Sequence, residues 1–322
     1  MRALSLTALH QPLEWTLLPD PQPGLGETLV TIKAAALNHR DVFITKGLYA
    51  GITYPVILGS DGAGEVNGKK VVIYPALEWG NTPQVQGKNF RVLGMPDNGT
   101  FAELIKIPTE NIYPMPDHLD WTQAAALPLA GLTAWRTLFT KCGVRSNDKI
   151  LITGIGGGVA LAALQFSVAL GLEVFVTSSS STKIEKAIAL GAKDGVNYRD
   201  EGWDKKLKSM ANGFDIIIDS AGGDGFAMLP NLCNPGARIG FFGATQGKVN
   251  GLSLQPVFWK QISLLGSTMG TPLEFEAMLQ FVAKHEIIPI VDKVYALEAG
   301  NEAMTRMEQG EQFGKILLAV EH

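Results

Sequence analysis

Cysteine and charge are both scarce in this chain, and each shortage narrows what the protein can be. Its 322 residues include two cysteines, Cys142 and Cys233. Two thiols cannot build a disulfide framework, and a tetrahedral zinc site needs more ligands than they supply. Charged residues make up 18% of the chain, and the net charge is -4. This balance gives no general field that would attract nucleic acid or an anionic membrane, so we expect neither as a partner.

Long apolar runs are also missing. No run approaches the ~18 residues of a membrane span. The first residues, Met1 to Ser5, lead directly into a strand and lack the long apolar core of a signal peptide. Hydrophobic residues nevertheless make up 46% of the chain, which suits well-buried cores. Because domains commonly have ~100–200 residues, we expect a two-domain cytoplasmic enzyme or binding protein.

Two different sequence patterns follow one another along the chain. The first third contains short apolar runs such as Leu29 to Ile32 and Phe101 to Ile107, bounded by glycine and proline, which predicts a β-rich module. From Trp121 the chain becomes helical, and apolar strands then alternate with helices. That alternation is typical of βαβ units around a parallel sheet. A last strand, Lys315 to Val320, is expected to return the chain to the first module.

A glycine loop provides the sharpest local motif. The apolar strand Ile150 to Thr153 runs into glycines, and a helix is predicted to open directly after them. Without Cβ atoms the backbone can turn tightly and approach a pyrophosphate, while the helix N-terminus supplies N–H groups and positive dipole. In this context we favour dinucleotide binding over a purely structural turn. The residues expected at the pyrophosphate are Gly156, Gly157, Gly158, Val159 and Ala160.

The next strand ends in a serine run, Thr177 to Ser181, without an acidic residue. Sites for NAD usually place Asp or Glu there to bind the ribose 2′-hydroxyl. Hydroxyls and nearby cations suit a 2′-phosphate instead, which favours NADP(H). An ordinary helix N-cap in the serine run is an alternative that is compatible with this interpretation. The candidate 2′-phosphate residues are Ser178, Ser179, Lys183 and Tyr198.

Several motifs occur together in an order that resembles the medium-chain dehydrogenase/reductase superfamily, in its zinc-independent quinone oxidoreductase-like branch. The resemblance covers nearly the whole chain. Its landmarks are Ala36 to Asp41, Gly47 to Tyr49, Leu58 to Gly64, Gly99 to Glu103, Gly131 to Trp135, the glycine loop, Phe242-Gly243 and Gly314 to Ile316.

This resemblance implies an α/β fold with two domains. Residues 1–120 and 270–322 would form a GroES-like catalytic domain, a partly open β-barrel built from both chain ends. Residues 121–269 would form a Rossmann-like dinucleotide-binding domain with a doubly wound parallel sheet. Members of this family commonly pair through an edge strand, and Ile262 to Gly266 is the candidate for a homodimer. The same stretch is also compatible with an interior strand.

The prediction about metal binding rests on positions where this chain differs from the zinc-dependent relatives. Those relatives have a catalytic Cys where this chain has Asn38, and a metal-binding His where it has Ser60. They also have a four-cysteine lobe, and the corresponding residues 76–98 contain no cysteine. His39 and the nearby acids could suggest a metal site, but His39 has no partner histidine at ligand spacing. The resemblance therefore implies that there is no zinc or other metal.

The same resemblance proposes the residues of the active site. Asn38, Asp41 and Tyr49 match pocket residues of quinone reductases, while Phe43 stands where some relatives have a second tyrosine. Tyr49 is either a hydrogen-bond donor to a substrate carbonyl or a lid over the site, and Asp41 is either part of the pocket or purely structural. Further cofactor contacts are implied at Thr133, Phe242, Gly243 and Lys315.

The expected activity is hydride transfer from NADPH to a small-molecule acceptor, either a quinone or an α,β-unsaturated carbonyl compound. An enoyl-thioester reductase is an alternative within the same chemistry. A non-catalytic protein that binds and senses NADPH is an alternative of a different class, and turnover would distinguish the two classes.

Overall fold

The computed structural model describes residues 1–321, and in this part of the chain two compact units are formed. The first unit contains residues 1–132 and 270–321, and the second contains Thr133–Met269. The strands are β1 (Arg2–Leu6), β2 (Glu14–Leu17), β3 (Glu27–Ala36), β4 (Val56–Ile57), β5 (Asp61–Val66), β6 (Lys69–Ile73), β7 (Ala76–Leu77), β8 (Arg91–Val92), β9 (Leu104–Pro108), β10 (Ile112–Pro114), β11 (Lys149–Ile152), β12 (Glu173–Ser178), β13 (Asp194–Asn197), β14 (Phe214–Asp219), β15 (Cys233–Phe241), β16 (Ser263–Gly266), β17 (Val291–Ala296) and β18 (Lys315–Ala319).

Helices follow the strands in the pattern that the sequence predicts. They are α1 (His39–Thr45), α2 (Trp121–Ala125), α3 (Pro128–Trp135), α4 (Gly158–Ala169), α5 (Ser181–Ala189), α6 (Trp203–Ala211), α7 (Gly223–Leu232), α8 (Leu254–Trp259), α9 (Pro272–Lys284) and α10 (Gly300–Gln309). Short 3₁₀ turns occur at Thr109–Asn111 and Leu297–Ala299, and a π-helical segment spans Arg136–Lys141.

Local sequence explains where several helices begin. In α9, Pro272 takes the first turn, where its missing N–H costs no hydrogen bond. Thr271 and Glu274 form a reciprocal capping box, with Glu274 N donating to Thr271 Oγ1 at 3.1 Å and Thr271 N donating to Glu274 Oε2 at 2.7 Å. Asp120 and Gln123 cap α2 in the same way. These caps fix helix starts that hydrophobic periodicity alone leaves uncertain.

The main sheet of the first unit has the strand order β10-β6-β5-β3-β18-β17, and β9 also pairs with β3. Its neighbours are antiparallel except for β17 and β18, which run parallel. The long strand β3 alternates between buried and half-buried positions over most of its length, as expected for a strand with one face on the core. The core packs Val30 and Ile32 of β3 against Leu4, Phe101 and Leu318.

The sheet of the second unit is parallel, with the order β13-β12-β11-β14-β15-β16. The predicted Rossmann-type fold is therefore confirmed. Strand β14 is apolar on both faces because helices cover both sides of such a sheet. The chain order reverses at β11, and ligands of doubly wound sheets bind at the carboxyl ends of the strands beside such a reversal. Strand β16 lies at the edge of the sheet, which answers the question whether this stretch is interior.

The division of the chain differs from the predicted boundary at Trp121. Helix α2 packs against β3, β5 and β18, so residues 121–132 belong to the first unit and the second begins at Thr133. The start of the helical sequence did not mark the boundary, because helix α2 packs into the core of the β-rich first unit. Among residues 1–321, no helix combines the length and hydrophobicity that crossing a bilayer requires.

Candidate active site and cofactor site

The glycine loop connects β11 to α4 at the carboxyl edge of the parallel sheet. Gly154 and Gly156 have φ angles of 62° and 131°, which L side chains rarely adopt. Gly157 is the N-cap of α4, and its φ of -77° is open to any residue. A Cβ added at Gly154 or Gly157 would meet no atom within 4 Å. Glycine at 157 is therefore required neither by backbone strain nor by packing within the protein.

The start of α4 fits a pyrophosphate. The N–H groups of Gly158, Val159 and Ala160 belong to the first turn, where no preceding helical carbonyl can accept them. Open space beside Gly157 leaves room for an anion to approach these groups, and the helix dipole favours its negative charge. All the residues that the sequence assigned to the pyrophosphate are thus brought together in one loop and one helix turn.

A buried carboxylate braces this loop, and the sequence analysis did not assign it a role. Thr153 Oγ1 donates to Asp219 Oδ2 at 2.6 Å, which ties the end of β11 to the end of β14. Asp219 Oδ1 accepts the backbone N–H groups of Ala221 and Gly222 at 3.1 and 2.8 Å. One side chain therefore orders two adjacent loops at the carboxyl edge. The available signal was an acid at the carboxyl end of the strand, directly after three isoleucines.

The serine run lies at the end of β12, beside the glycine loop in the sheet. Ser180 caps α5, its Oγ accepting Lys183 N at 3.4 Å, so the N-cap alternative is correct for this one serine. Ser178 is buried and its Oγ accepts Ser180 N at 3.2 Å, while Ser179 is half-buried. Tyr198 follows β13, and its N–H donates to Ser178 O at 3.0 Å. Capping thus occupies Ser180 and leaves the hydroxyls of Ser178 and Ser179 free to donate.

Two other predicted cofactor residues of the second unit, Phe242 and Gly243, lie near the same edge. Phe242 follows β15, and its N–H donates to Asp219 O at 3.3 Å. Gly243 comes next, and a Cβ there would lie 2.7 Å from the Ser220 carbonyl oxygen, so packing requires glycine. Thr133 is buried at the first position of the unit, where its carbonyl accepts Thr137 Oγ1 at 2.7 Å.

Three buried polar side chains meet in the first unit, and we call them the Asn38 cluster: Asn38, Asp61 and Lys315. Lys315 Nζ lies 2.6 Å from Asn38 Oδ1 and 2.9 Å from Asp61 Oδ2. Asn38 Nδ2 donates to the same Asp61 oxygen at 2.9 Å. Asp61 Oδ1 accepts the Leu129 N–H at 2.8 Å, and Lys315 also donates to Leu37 O at 2.7 Å. Buried charges are tolerated when they are paired in this way.

Asp41 lies beside the cluster on the first turn of α1. Its Oδ2 accepts Asn38 N at 2.7 Å, whereas its Oδ1 is buried without a partner among the described residues. Burial disfavours the ionised carboxylate and raises the pKa of Asp41 to about 6, despite the opposing field of Arg40. Asp41 caps the helix, so the structural role is established and a role in the pocket stays a prediction.

Arg40 occupies the space beside Ser60. Its Nη1 donates to Ser60 Oγ at 2.7 Å and to Leu93 O at 2.6 Å, and Ser60 Oγ donates to Leu93 O at 2.8 Å. The guanidinium lies 5.7 Å from the centre of the Tyr49 ring, within the range of a cation–π contact. Tyr49 itself is 40% exposed on the loop after α1.

The residues present do not fit a catalytic zinc ion. The Asn38 amide is bonded to Lys315 and Asp61, and the Ser60 hydroxyl is bonded to Arg40. Two positive side chains therefore lie next to the two positions where zinc-dependent relatives have metal ligands, and they would repel a divalent cation. His39 is exposed. Within residues 1–321, no three His, Cys, Asp or Glu side chains are grouped as a metal site.

Comparison with known families agrees with both units. The model "Alcohol dehydrogenase GroES-like domain" matches residues 24–117, and "Zinc-binding dehydrogenase" matches residues 158–284. The zinc-type alcohol dehydrogenase-like protein YogA of Leptosphaeria maculans is 34% identical over 97% of this chain and 96% of its own length. A crystal structure described as an NAD-dependent alcohol dehydrogenase superimposes with a TM-score of 0.95, at 36% identity and full coverage of both chains.

Two more distant relatives have other activities in their names. The quinone oxidoreductase of Pseudomonas aeruginosa is 28% identical over 95% of both chains. The acryloyl-coenzyme A reductase of Sulfurisphaera tokodaii is 26% identical over 99% of both chains. With the GroES-like sheet, the parallel sheet and the glycine loop in place, these similarities confirm the predicted superfamily. The chain belongs to the medium-chain dehydrogenase/reductase superfamily of oxidoreductases.

Proposed function

We propose that this protein is an NADPH-dependent, zinc-independent oxidoreductase that transfers hydride to a quinone or to an α,β-unsaturated carbonyl compound. The observation that carries the proposal is the side-chain chemistry at the two metal positions. Asn38 and Ser60 are each bonded to a cation, Lys315 and Arg40 respectively, and neither is a thiolate or an imidazole. Zinc-dependent alcohol oxidation needs metal ligands at these positions.

Preference for NADPH is supported by the end of β12. No acid lies between Val174 and Ile184, so nothing there repels a 2′-phosphate or binds a free 2′-hydroxyl as a carboxylate would. Ser178 and Ser179 supply hydroxyl donors, and Lys183 follows on the first turn of α5. A relative in the structural comparison is described as NAD-dependent, so the cofactor preference needs a direct test.

In the proposed reaction the reduced nicotinamide supplies the hydride. The protein's task is to position the acceptor and to stabilise the charge that develops on its carbonyl oxygen. Asn38 suits this task because its amide N–H can donate a hydrogen bond and does not titrate. Tyr49 is the second candidate donor. The proton that completes reduction of an enone comes from Tyr49 or from water.

Enoyl thioesters form a second candidate substrate class. The observation that favours them is the similarity to the acryloyl-coenzyme A reductase over almost the full chain. An enoyl thioester places a carbon–carbon double bond next to a carbonyl, so the same donor would serve. The two classes differ in the long polar arm that a thioester carries.

A homodimer is the proposed assembly, formed through the edge strand β16. Leu264 on this strand is 36% exposed, and on the preceding helix α8 Phe258 and Trp259 are 66% and 81% exposed. An unpaired apolar strand edge flanked by exposed aromatic rings is expected to pair with another chain. Light scattering should give the mass of a dimer. Leu264→Lys with Trp259→Ser should give a folded monomer, whereas an unchanged mass would remove this interface from the proposal.

An acceptor panel tests the proposed function. The purified protein is mixed with NADPH and, in turn, a quinone, an enone, an enoyl-coenzyme A and an aldehyde, and NADPH oxidation is followed by absorbance. We expect turnover with the quinone or the enone, and a loss of about tenfold in kcat (about 1.4 kcal/mol) for Asn38→Ala. Turnover with enoyl-coenzyme A alone would select the second substrate class. Binding of NADPH without any turnover would indicate a cofactor-binding sensor.

A further inference from the structure

The Asn38 cluster joins three neighbouring strands of one sheet. Asn38 follows β3, Asp61 is the first residue of β5 and Lys315 is the first residue of β18. In the sheet order β3 lies between the other two, so the three side chains meet at one end of adjacent strands. Asp61 is fully buried, and Asn38 and Lys315 are buried as well. The sheet therefore fixes the backbone positions from which these side chains reach one another.

Lys315 has no donor left for another group. An ammonium carries three N–H bonds. They are directed to the carbonyl of Leu37, to Asn38 Oδ1 and to Asp61 Oδ2, at 2.7, 2.6 and 2.9 Å. A phosphate of the cofactor could be contacted by Lys315 only if one of these buried bonds broke. The geometry thus favours a role for Lys315 inside the cluster over the direct cofactor contact that the family resemblance implies.

The ion pair fixes which way the Asn38 amide faces. Its oxygen accepts from the ammonium of Lys315, and its nitrogen donates to the carboxylate of Asp61. Turning the amide over would place N–H groups against the cation and the carbonyl oxygen against the anion. Both contacts would become repulsive in a buried environment where charge–dipole interactions are strong. An amide between two opposite charges therefore has one stable orientation.

This orientation leaves one hydrogen available. The amide nitrogen of Asn38 carries two hydrogens, and among the described residues its only acceptor is Asp61. Helix capping does not use the other hydrogen, because an N-cap asparagine acts as an acceptor through its side-chain oxygen. Asp41 accepts the Asn38 backbone N–H, and the Asp41 N–H donates to the Asn38 backbone carbonyl. Helix capping thus leaves the amide hydrogens of Asn38 unused.

We infer that Lys315 and Asp61 are positioning residues that lock the Asn38 amide with one N–H directed to the carbonyl oxygen of the acceptor. This inference rests on the proposed function, because it assigns the substrate-facing donor of that reaction. Neither charged residue touches the substrate. They act through Asn38, as a fixed pair of opposite charges on either side of its amide.

The test is a set of variants that removes the charges in pairs. Lys315→Met alone would leave Asp61 buried and unpaired, which risks misfolding. The main variant is therefore Lys315→Met with Asp61→Asn, whose neutral amide can still accept the Leu129 N–H. Lys315→Arg keeps the charge and tests for rescue. Arg2→Met with Glu103→Gln removes an ion pair of the same unit at 2.5 Å and serves as the control.

We expect the neutral pair to lower kcat about tenfold while the Kd of NADPH changes less than about twofold. In an Asn38→Ala background the same pair should cause no further loss, because residues that act through one group are not additive. Lys315→Arg should recover part of kcat, and the control pair should leave kcat unchanged.

Two results would overturn the inference. One is a Kd for NADPH weakened about tenfold or more with kcat unchanged at saturating cofactor, which would make Lys315 a cofactor ligand. The other is a loss of kcat that adds fully to that of Asn38→Ala. Failure of the proposed function is recognised separately, since the unmodified protein would then show no turnover. The cofactor titration, which needs no turnover, would still report whether Lys315 binds NADPH.

Discussion

The glycine loop of the second unit offers backbone atoms to a ligand, whereas the Asn38 cluster of the first unit offers a side chain held by two others. The loop is formed by consecutive residues and is open beside Gly157. The cluster is formed by residues as far apart as Asn38 and Lys315 and is largely buried, with Asn38 8% exposed. The pyrophosphate of a dinucleotide can be bound by backbone N–H groups of one local motif. A hydrogen-bond donor for a reacting carbonyl must instead be held in one orientation by several neighbouring groups.

The largest effect is expected on protein stability, at Asp41 beside the Asn38 cluster. The pKa of this buried carboxyl is raised from 3.8 to about 6, so the folded protein holds its proton more tightly than the unfolded chain does. The resulting stability is complete below about pH 4 and is lost as pH rises through about 6, a change of about 3 kcal/mol. Asp41→Asn should remove this part of the pH dependence while still accepting the Asn38 N–H.

Urea unfolding of both proteins at several pH values between 4 and 7 measures this effect. Other carboxyl groups contribute equally to both proteins, so the difference between their stabilities isolates Asp41. Parallel curves would mean that Asp41 ionises normally in spite of its burial.

The glycine loop is expected to respond in affinity and not in stability. Gly157→Ala places a Cβ in open space at an ordinary φ, so the unfolding free energy should stay within about 0.5 kcal/mol. The new methyl group should obstruct the pyrophosphate and weaken NADPH binding about thirtyfold (about 2 kcal/mol). Gly225→Ala, on α7 and also facing open space, is the matched control. Equal affinities for both variants would place the cofactor elsewhere.

A substitution in the serine run after β12 tests whether this part of the second unit selects NADPH over NADH. Ser179→Asp introduces the acid that NAD sites use and that this chain lacks. We expect NADPH binding to weaken about tenfold (about 1.4 kcal/mol), with NADH binding unchanged or improved. Fluorescence titrations with both cofactors measure the ratio. If the ratio does not move, the 2′-phosphate lies away from the serine run.

The smallest effect is expected at Tyr49, which lies against Arg40 and is 40% exposed. Tyr49→Phe removes the hydroxyl and keeps the ring over Arg40. If the hydroxyl donates to the substrate, kcat should fall by about threefold to tenfold, as expected when an exposed hydrogen bond worth about 0.5–1.5 kcal/mol is lost. An unchanged kcat would assign Tyr49 to covering the site, and Tyr49→Ala would then raise KM.

Sequence was sufficient for features built from local signals. The run from Ile150 to Ala160 predicted strand, loop and helix because glycine placement and hydrophobicity act over adjacent residues. The last strand, expected at Lys315 to Val320, likewise lies at Lys315–Ala319. The choice of Ser180 as N-cap needed coordinates, since four consecutive serines have the same local chemistry.

Side-chain partnerships between distant strands could not be predicted. The meeting of Lys315 with Asn38 depends on β18 pairing beside β3, and sequence periodicity does not specify which strands become neighbours. The bond between Arg40 and Ser60 likewise depends on how α1 packs against the start of β5. The division at Thr133 differs from the predicted boundary at Trp121 because a helix can belong to the core of a β-rich unit.

The most direct test of the account is the activity of chelator-treated enzyme. The protein is dialysed against a strong zinc chelator, its metal content is measured by mass spectrometry, and its turnover of NADPH with an enone or a quinone is compared with that of untreated enzyme. The account predicts the same kcat in both preparations, because Asn38, held by Lys315 and Asp61, provides the donor. Activity that disappears with the metal and returns on addition of zinc would contradict it.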